Sequence, residues 1–321
     1  MGKILNALDL VNGDMAEIIR QSLEPPRNGK YVETAPSGSE TQAGRKSALA
    51  DPETMWTKIA DIDATGADLV ASTEEPWSGV RTHRIPWQVS ESTPLLAGTG
   101  NEHAAEQYRA AKTRILLSPK PPTTLVVSSP STGDGKTLTA VNMAAAFARK
   151  SDQGVLLVDA DLRCPTIHSR IGLPPSPGLA EVLQGKCSLE EAMVQIEQIP
   201  SLFVLPSGEA VANAAELLDS PTWGTLFSRL RAQFRMVICD SPPVDVFADY
   251  DLIVTECDGV ILVLTPDRTD RYLAFRALDK VGEKLLGVLI NRAEDWFLWK
   301  HHASNYHYYR QGTGQQKKRT K

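Results

Sequence analysis

Six short, nearly continuous apolar runs follow one another after about residue 100, each separated from the next by residues that include helical stretches. They are 123–129 (TTLVVSS), 154–160 (GVLLVDA), 201–207 (SLFVLPS), 235–241 (RMVICDS), 259–265 (GVILVLT) and 286–291 (LGVLIN). Strands that are apolar on both faces must be covered on both faces. Alternation of such strands with helices predicts a parallel sheet joined by right-handed crossovers. The expected fold class is therefore α/β: a doubly wound, mostly parallel sheet flanked by helices. Ligands in such sheets bind at the carboxyl ends of the strands, so chemistry is expected in the residues that directly follow the runs.

The first run leads into SPSTGDGKTLTAVN. Gly133, Gly135, Lys136 and Thr137 match the second half of the phosphate-loop pattern G-x-x-x-x-G-K-[ST], with Pro130 at the place of its first glycine. Glycines let backbone N–H groups turn inward around phosphates. The helix that starts near Lys136 adds its N-terminal dipole. The lysine reaches the β- and γ-phosphates, and the Thr137 hydroxyl is a ligand for Mg²⁺. The candidate nucleotide-binding segment is Gly133, Asp134, Gly135, Lys136, Thr137 and Leu138.

Two other runs end in acids. VLLVDADLRCP places Asp159 and Asp161 at the end of the second run, and RMVICDSPPVDV places Asp240 at the end of the fourth. Residues two apart on an extended chain point to the same side. Three acids buried together would titrate high unless a cation balanced them. A cation site held by Thr137, Asp161 and Asp240 is the economical reading. Arg163, two residues after Asp161, has two open roles: to stabilise charge on a transferred phosphate, or to pair with a neighbouring acid.

These motifs as a set resemble the bacterial tyrosine kinases, the autokinases of capsule and exopolysaccharide synthesis. GDGKT, LLVDADLRCP and ICDSPP resemble that family's Walker A, A′ and B motifs, and the likeness extends over roughly residues 100–310. Related switch ATPases of the MinD/ParA type carry a further lysine early in the loop, where this chain has Ser131. The resemblance implies ATP and Mg²⁺ as cofactors and Lys136, Asp159, Asp161, Arg163 and Asp240 as catalytic residues. It also implies contact of Asn291 with adenine. EQYRAAK resembles the family's E-x-x-R-x-x-R subunit-contact motif, supplying Glu106 and Arg109, with Lys112 in place of the last arginine.

A further implication concerns NYHYYRQG. Tyr306, Tyr308 and Tyr309 lie where the family carries a tyrosine-rich tail that neighbouring subunits phosphorylate. The implied partners are a separate transmembrane chain-length-determinant or polysaccharide co-polymerase that activates the kinase, other copies in a ring, and a cognate tyrosine phosphatase. The implied location is cytoplasmic, at the inner face of the cell membrane through that partner. A switch ATPase without kinase activity and a nucleotide-binding scaffold of the export machinery stand as alternatives.

The remaining features set the domain plan. Net charge is −5 over 321 residues, so no positive field points to nucleic acid. No apolar run approaches the roughly 20 residues that cross a bilayer, and the N-terminus lacks a signal-peptide pattern. The four cysteines form no CxxC pair, consistent with a reducing compartment. Residues 1–22 carry Ile4, Leu8, Val11, Met15, Ile18 and Ile19 at helical spacing, which predicts an amphipathic helix. Residues 23–98, rich in Ser, Thr, Pro and charge, predict a largely disordered linker. The catalytic domain is expected over 99–298 and a flexible basic tail over 299–321.

Overall fold

The computed structural model describes residues 3–6, 80–85, 102–149, 151–266 and 268–292. All lie in one compact unit of the chain, made of residues 1–25 and 79–321; the second unit, residues 26–78, falls outside the described residues. The strands are β1 (Lys3–Asn6), β2 (Arg81–His83), β3 (Thr124–Ser128), β4 (Val155–Asp159), β5 (Val194–Ile196), β6 (Leu202–Leu205), β7 (Met236–Asp240), β8 (Gly259–Leu264) and β9 (Leu285–Ile290). The helices are α1 (Glu102–Leu116), α2 (Lys136–Ala148), α3 (Ile167–Ile171), α4 (Leu179–Leu183), α5 (Leu189–Ala192), α6 (Ala214–Leu218), α7 (Pro221–Gln233), α8 (Asp249–Thr255) and α9 (Arg271–Val281).

All strands join one sheet in the order β1-β9-β8-β3-β7-β4-β6-β5-β2. The six strands from β9 to β6 are mutually parallel, and each corresponds to one of the six apolar runs. β3, β4, β6, β7 and β8 are buried along their whole length, as strands covered on both faces must be. α2 is nearly as enclosed: only Leu138 among its residues is not buried. Its alanine-rich MAAAFA segment has little side-chain bulk, so the helix lies close under α1, which presents Ala104, Tyr108, Ala111 and Ile115 inward.

One expectation is corrected at the edges and another is refined. Lys3–Asn6 is not the first turn of a helix. It is a strand paired antiparallel with β9, Lys3 opposite Ile290 and Asn6 opposite Gly287. Without it β9 would end the sheet with unpaired backbone groups, and four residues are too few for periodicity to tell helix from strand. The remainder of 7–22 lies outside the described residues. The expected linker is likewise not without structure throughout. β2 runs parallel to β5, and Ile85 just beyond it is buried. The Gln198 amide brackets that residue, accepting from Ile85 N at 3.2 Å and donating to Ile85 O at 2.9 Å. One apolar anchor and a short ladder therefore order a segment whose composition is polar.

Candidate functional site

Three adjacent strands deliver the chemistry. β7 lies between β3 and β4, and Asp159 at the end of β4 is in register with Asp240 at the end of β7. Neighbouring strands are about 4.8 Å apart, so this register sets two carboxylates side by side. Asp161 follows two residues later, and all three acids are buried.

Lys136, the first residue of α2, reaches into this group. Its Nζ lies 3.0 Å from Asp161 Oδ2 and 3.8 Å from Asp240 Oδ1. Burial alone would lower the ammonium's pKa, but the charges of Asp240 and Asp161 outweigh it and hold the group above its ordinary value. One lysine does not balance three acids. Burial, reinforced by the charge of Asp240, pushes Asp159 up to about 8, although the backbone N–H of Ile167 pulls the other way. Burial pushes Asp240 up to about 6 against the opposing pull of Lys136.

The hydrogen bonds separate the acids. Asp159 Oδ2 accepts from the backbone N–H groups of Thr166 and Ile167 at 3.1 and 3.0 Å, where the chain turns into α3. Asp161 Oδ1 accepts from Cys164 N at 3.1 Å. Asp159 Oδ1 is buried without a hydrogen-bond donor, and the Asp240 oxygens have only the weak pull of the Thr137 hydroxyl and the Ser241 N–H. Leaving such atoms unpaired is costly, and unpaired carboxylate oxygens suit a cation. The Thr137 hydroxyl belongs to the same set and accepts from the Thr166 hydroxyl at 3.0 Å. Among the described residues no three His, Cys, Asp or Glu side chains form a closed metal cage. An ion held by Thr137, Asp161 and Asp240 would need further oxygens from a ligand or water, as Mg²⁺ usually does.

Above the acids, the loop from β3 to α2 is shaped from within. Gly133 and Gly135 have φ of 86° and 95°, the left-handed region that favours glycine. Asp134, between them, is a buried strut: its carboxylate accepts from Ser131 N at 3.1 Å and from the Thr269 hydroxyl at 2.9 Å. Its backbone oxygen accepts from the Thr265 hydroxyl at 2.9 Å and from Asn291 Nδ2 at 3.0 Å. Gly135 caps α2 without a side-chain bond, and no acid stands in the first helical turn. The backbone N–H groups there are left for an anion. A Cβ on Gly135 would lie 2.1 Å from Asn291 Nδ2. Gly135→Ala is therefore expected to cost at least about 1–3 kcal/mol from the backbone conformation alone, and thermal unfolding against wild type measures it.

Other expected site residues are placed differently. Arg163 takes the second of its two roles. Its Nε and Nη2 donate to the two oxygens of Asp249 on α8 at 2.6 and 3.1 Å, so it is held by an acid outside the cluster. Asn291 at the end of β9 buttresses the loop through Asp134 O. Leu138 is half-buried on α2. Glu106 and Arg109 form an exposed pair on α1 at 2.7 Å.

Lys112 departs from the subunit-contact expectation. It folds onto its own domain, where Nζ donates to the oxygens of Ala146, Phe147 and Arg149 at 3.1, 3.2 and 3.5 Å. These carbonyls end α2, where a cation offsets the helix dipole. Lys112→Met is expected to lose about 1–2 kcal/mol of stability and to leave the mass in sedimentation unchanged. The three tyrosines lie outside the described residues.

Sequence reasoning did not single out Thr166, Asp249, Thr265 or Thr269. An isolated Thr or Asp carries no signal of its own, and their partners are up to 135 positions away.

Residues 123–274 match the AAA domain family. The chain is 37% identical over 210 residues to tyrosine-protein kinase YwqD of Bacillus subtilis (strain 168), covering 64% of this chain and 86% of that protein. It is 33% identical over 198 residues to tyrosine-protein kinase CpsD of Streptococcus pneumoniae serotype 4, covering 60% of this chain and 85% of that one. Among solved structures, the kinase domain of Escherichia coli tyrosine kinase ETK superposes with a TM-score of 0.57 at 26% identity, covering 67% of this chain and 82% of that domain.

Proposed function

This chain belongs to the family of bacterial tyrosine-protein kinases, and from that premise we propose that it transfers the γ-phosphoryl group of Mg·ATP to tyrosine hydroxyls, including its own Tyr306, Tyr308 and Tyr309 on another copy. The observation that carries this reading is the buried group at the ends of β4 and β7. Lys136 is held between Asp161 and Asp240, and Asp159 beside them keeps an oxygen with no donor. Phosphoryl transfer needs positioning and charge stabilisation more than covalent help from the protein, and these residues supply both.

In this reading the N–H groups of the Gly133–Thr137 loop cradle the phosphates, and Lys136 moves from the carboxylates to the γ-phosphate. Thr137, Asp161 and Asp240 would hold Mg²⁺, which would neutralise phosphate charge. Asp159 accepts the tyrosine proton. The phenolic oxygen then bonds to the γ-phosphorus as the bond to the β–γ bridging oxygen breaks, and ADP leaves. With its pKa raised to about 8, Asp159 in its ionised form is a stronger base than an ordinary aspartate.

The same reading sets the chain in polysaccharide export. A separate membrane-spanning co-polymerase activates it at the inner face of the membrane, a phosphatase reverses it, and it regulates polymerisation of capsule or exopolysaccharide. Among the described residues no helix is long and apolar enough to cross a membrane. Each phosphotyrosine adds about −1.5 to −2 charges to a segment made basic by Arg310, Lys317, Lys318, Arg319 and Lys321. Unmodified copies associate in a ring, and phosphorylation releases them.

Mixing tests the transfer between copies. Wild-type protein and a tagged Lys136→Met acceptor, incubated with Mg·ATP, should yield phosphotyrosine on the acceptor. Label confined to the wild-type copy would overturn transfer in trans.

A further inference from the structure

The turn between β8 and α9 is fastened to the phosphate loop. The Thr265 hydroxyl donates to Asp134 O and the Thr269 hydroxyl to Asp134 Oδ1, each at 2.9 Å. The turn is also closed on itself. Thr265 N donates to the Thr269 hydroxyl at 2.8 Å, and the N–H groups of Arg268 and Thr269 donate to Thr265 O at 3.2 and 2.9 Å. This clamp sets the Arg268 side chain across the loop. A Cβ on Gly133 would collide with the Arg268 guanidinium, lying 2.6 Å from its Cζ, so the glycine leaves the space in which that group rests. Arg268 is nevertheless exposed. A second guanidinium stands near, from the end of β9. Burial raises the Asp134 carboxyl, and the Thr269 hydroxyl and the charges of Arg268 and Arg292 are among the groups that pull it back.

The strand order tells which end of a nucleotide lies here. β3 leads into the loop. On one side of it are β7 and β4, whose ends carry Asp240, Asp159 and Asp161 around Lys136. That side suits the γ-phosphate and its cation. β8 lies on the other side of β3, and Arg268 follows it. A nucleotide is a line of phosphates that ends in a sugar and a base. With the γ-phosphate over the acids, the sugar and base extend over the end of β8. A guanidinium is planar and stacks on aromatic faces. We infer that Arg268 lies against the base of the bound nucleotide, with Gly133 as its floor, and holds the sugar–base end while the loop holds the phosphates. The inference rests on the nucleotide-binding part of the kinase reading above and adds to it a residue that contacts the base.

The test uses the full-length chain with Mg²⁺ and measures, by calorimetry, its affinity for a non-hydrolysable ATP analogue and for inorganic tripolyphosphate, which has no base. Arg268→Ala should weaken the analogue by about fivefold, the size of one exposed cation–π contact, and should bind tripolyphosphate as wild type does. Arg268→Lys keeps the charge and loses the plane, so it should recover little of the loss. Tripolyphosphate also reports whether the variants keep the loop intact. Equal weakening of the analogue and of tripolyphosphate would make Arg268 a support of the loop or a phosphate ligand and would overturn the base contact. So would full recovery in Arg268→Lys, or an analogue affinity equal to wild type in Arg268→Ala. The two readings fail separately. Selective loss of the analogue in Arg268→Ala, beside a wild type that forms no phosphotyrosine with Mg·ATP, keeps the base contact and removes the kinase. Phosphotyrosine from wild type, beside an Arg268→Ala protein that binds the analogue equally well, does the reverse.

Discussion

Lys136→Met is expected to abolish measurable phosphoryl transfer and to destabilise the protein by about 3–5 kcal/mol at pH 8, the usual cost of breaking a buried ion pair from one side. Both effects follow from one placement. The ammonium is 3.0 Å from Asp161 and 3.8 Å from Asp240, and methionine fills the space without charge. Removing a group that stabilises transferred charge costs about 10²–10³ in rate, and the lysine's part in binding the phosphates adds to that. The loss of stability should depend on pH. Asp240, at about 6 with the lysine present, rises further without it. The variant's deficit is therefore largest above that value and shrinks as the pH falls and the acids take up protons. Urea unfolding at pH 8 and pH 5.5 measures the difference. The double variant Lys136→Met, Asp240→Asn should recover much of the stability and none of the transfer, which separates folding from chemistry.

Asp159→Asn is expected to stabilise the ligand-free protein near pH 8 while reducing transfer by about 10²–10⁴, the usual contribution of a positioned general base. Burial and the neighbouring Asp240 charge put the native group at about 8, whereas an unfolded chain has an ordinary carboxylate near 3.9. Between those values the native state holds a proton that the unfolded state has lost. The contribution of Asp159 to stability is thus fully present at about pH 4 and falls as pH rises toward 8. Asparagine imitates the protonated form and can keep accepting from the N–H groups of Thr166 and Ile167. The variant should be more stable by several kcal/mol at pH 8, with the gap closing near pH 4–5. Unfolding free energies across that range measure the slope. An Asp159→Asn protein that transfers phosphate at the wild-type rate would remove Asp159 from the chemistry.

The centre of the sheet was legible because burial on both faces leaves a mark in sequence. Each of the six apolar runs became one of the parallel strands, and residues at or beyond the ends of three of them converge as Lys136, Asp159, Asp161 and Asp240. The edges were not legible. β1, β2 and β5 have four, three and three residues, too short for periodicity, and β1 and β2 stand where composition suggested a helix and a linker. The partners of Lys112 and Arg163 were not legible for a related reason. A charged side chain shows what it can bind, whereas its partner is chosen by tertiary structure. The end of α2 lies about 35 residues from Lys112, and Asp249 lies 86 from Arg163. The family's contact motif placed Lys112 on a subunit surface, but a long chain beside unpaired carbonyls satisfies them first.

The measurement that bears most directly on the account is a mass-spectrometric map of the purified chain after incubation with Mg·ATP, beside Lys136→Met and the stabilised double variant. The activator's cytoplasmic segment is added where it has been identified. The account predicts phosphate on Tyr306, Tyr308 or Tyr309 in wild type and on none of them in either variant. Nucleotide turnover without phosphotyrosine would contradict it, and would leave a P-loop ATPase whose tyrosines serve another purpose.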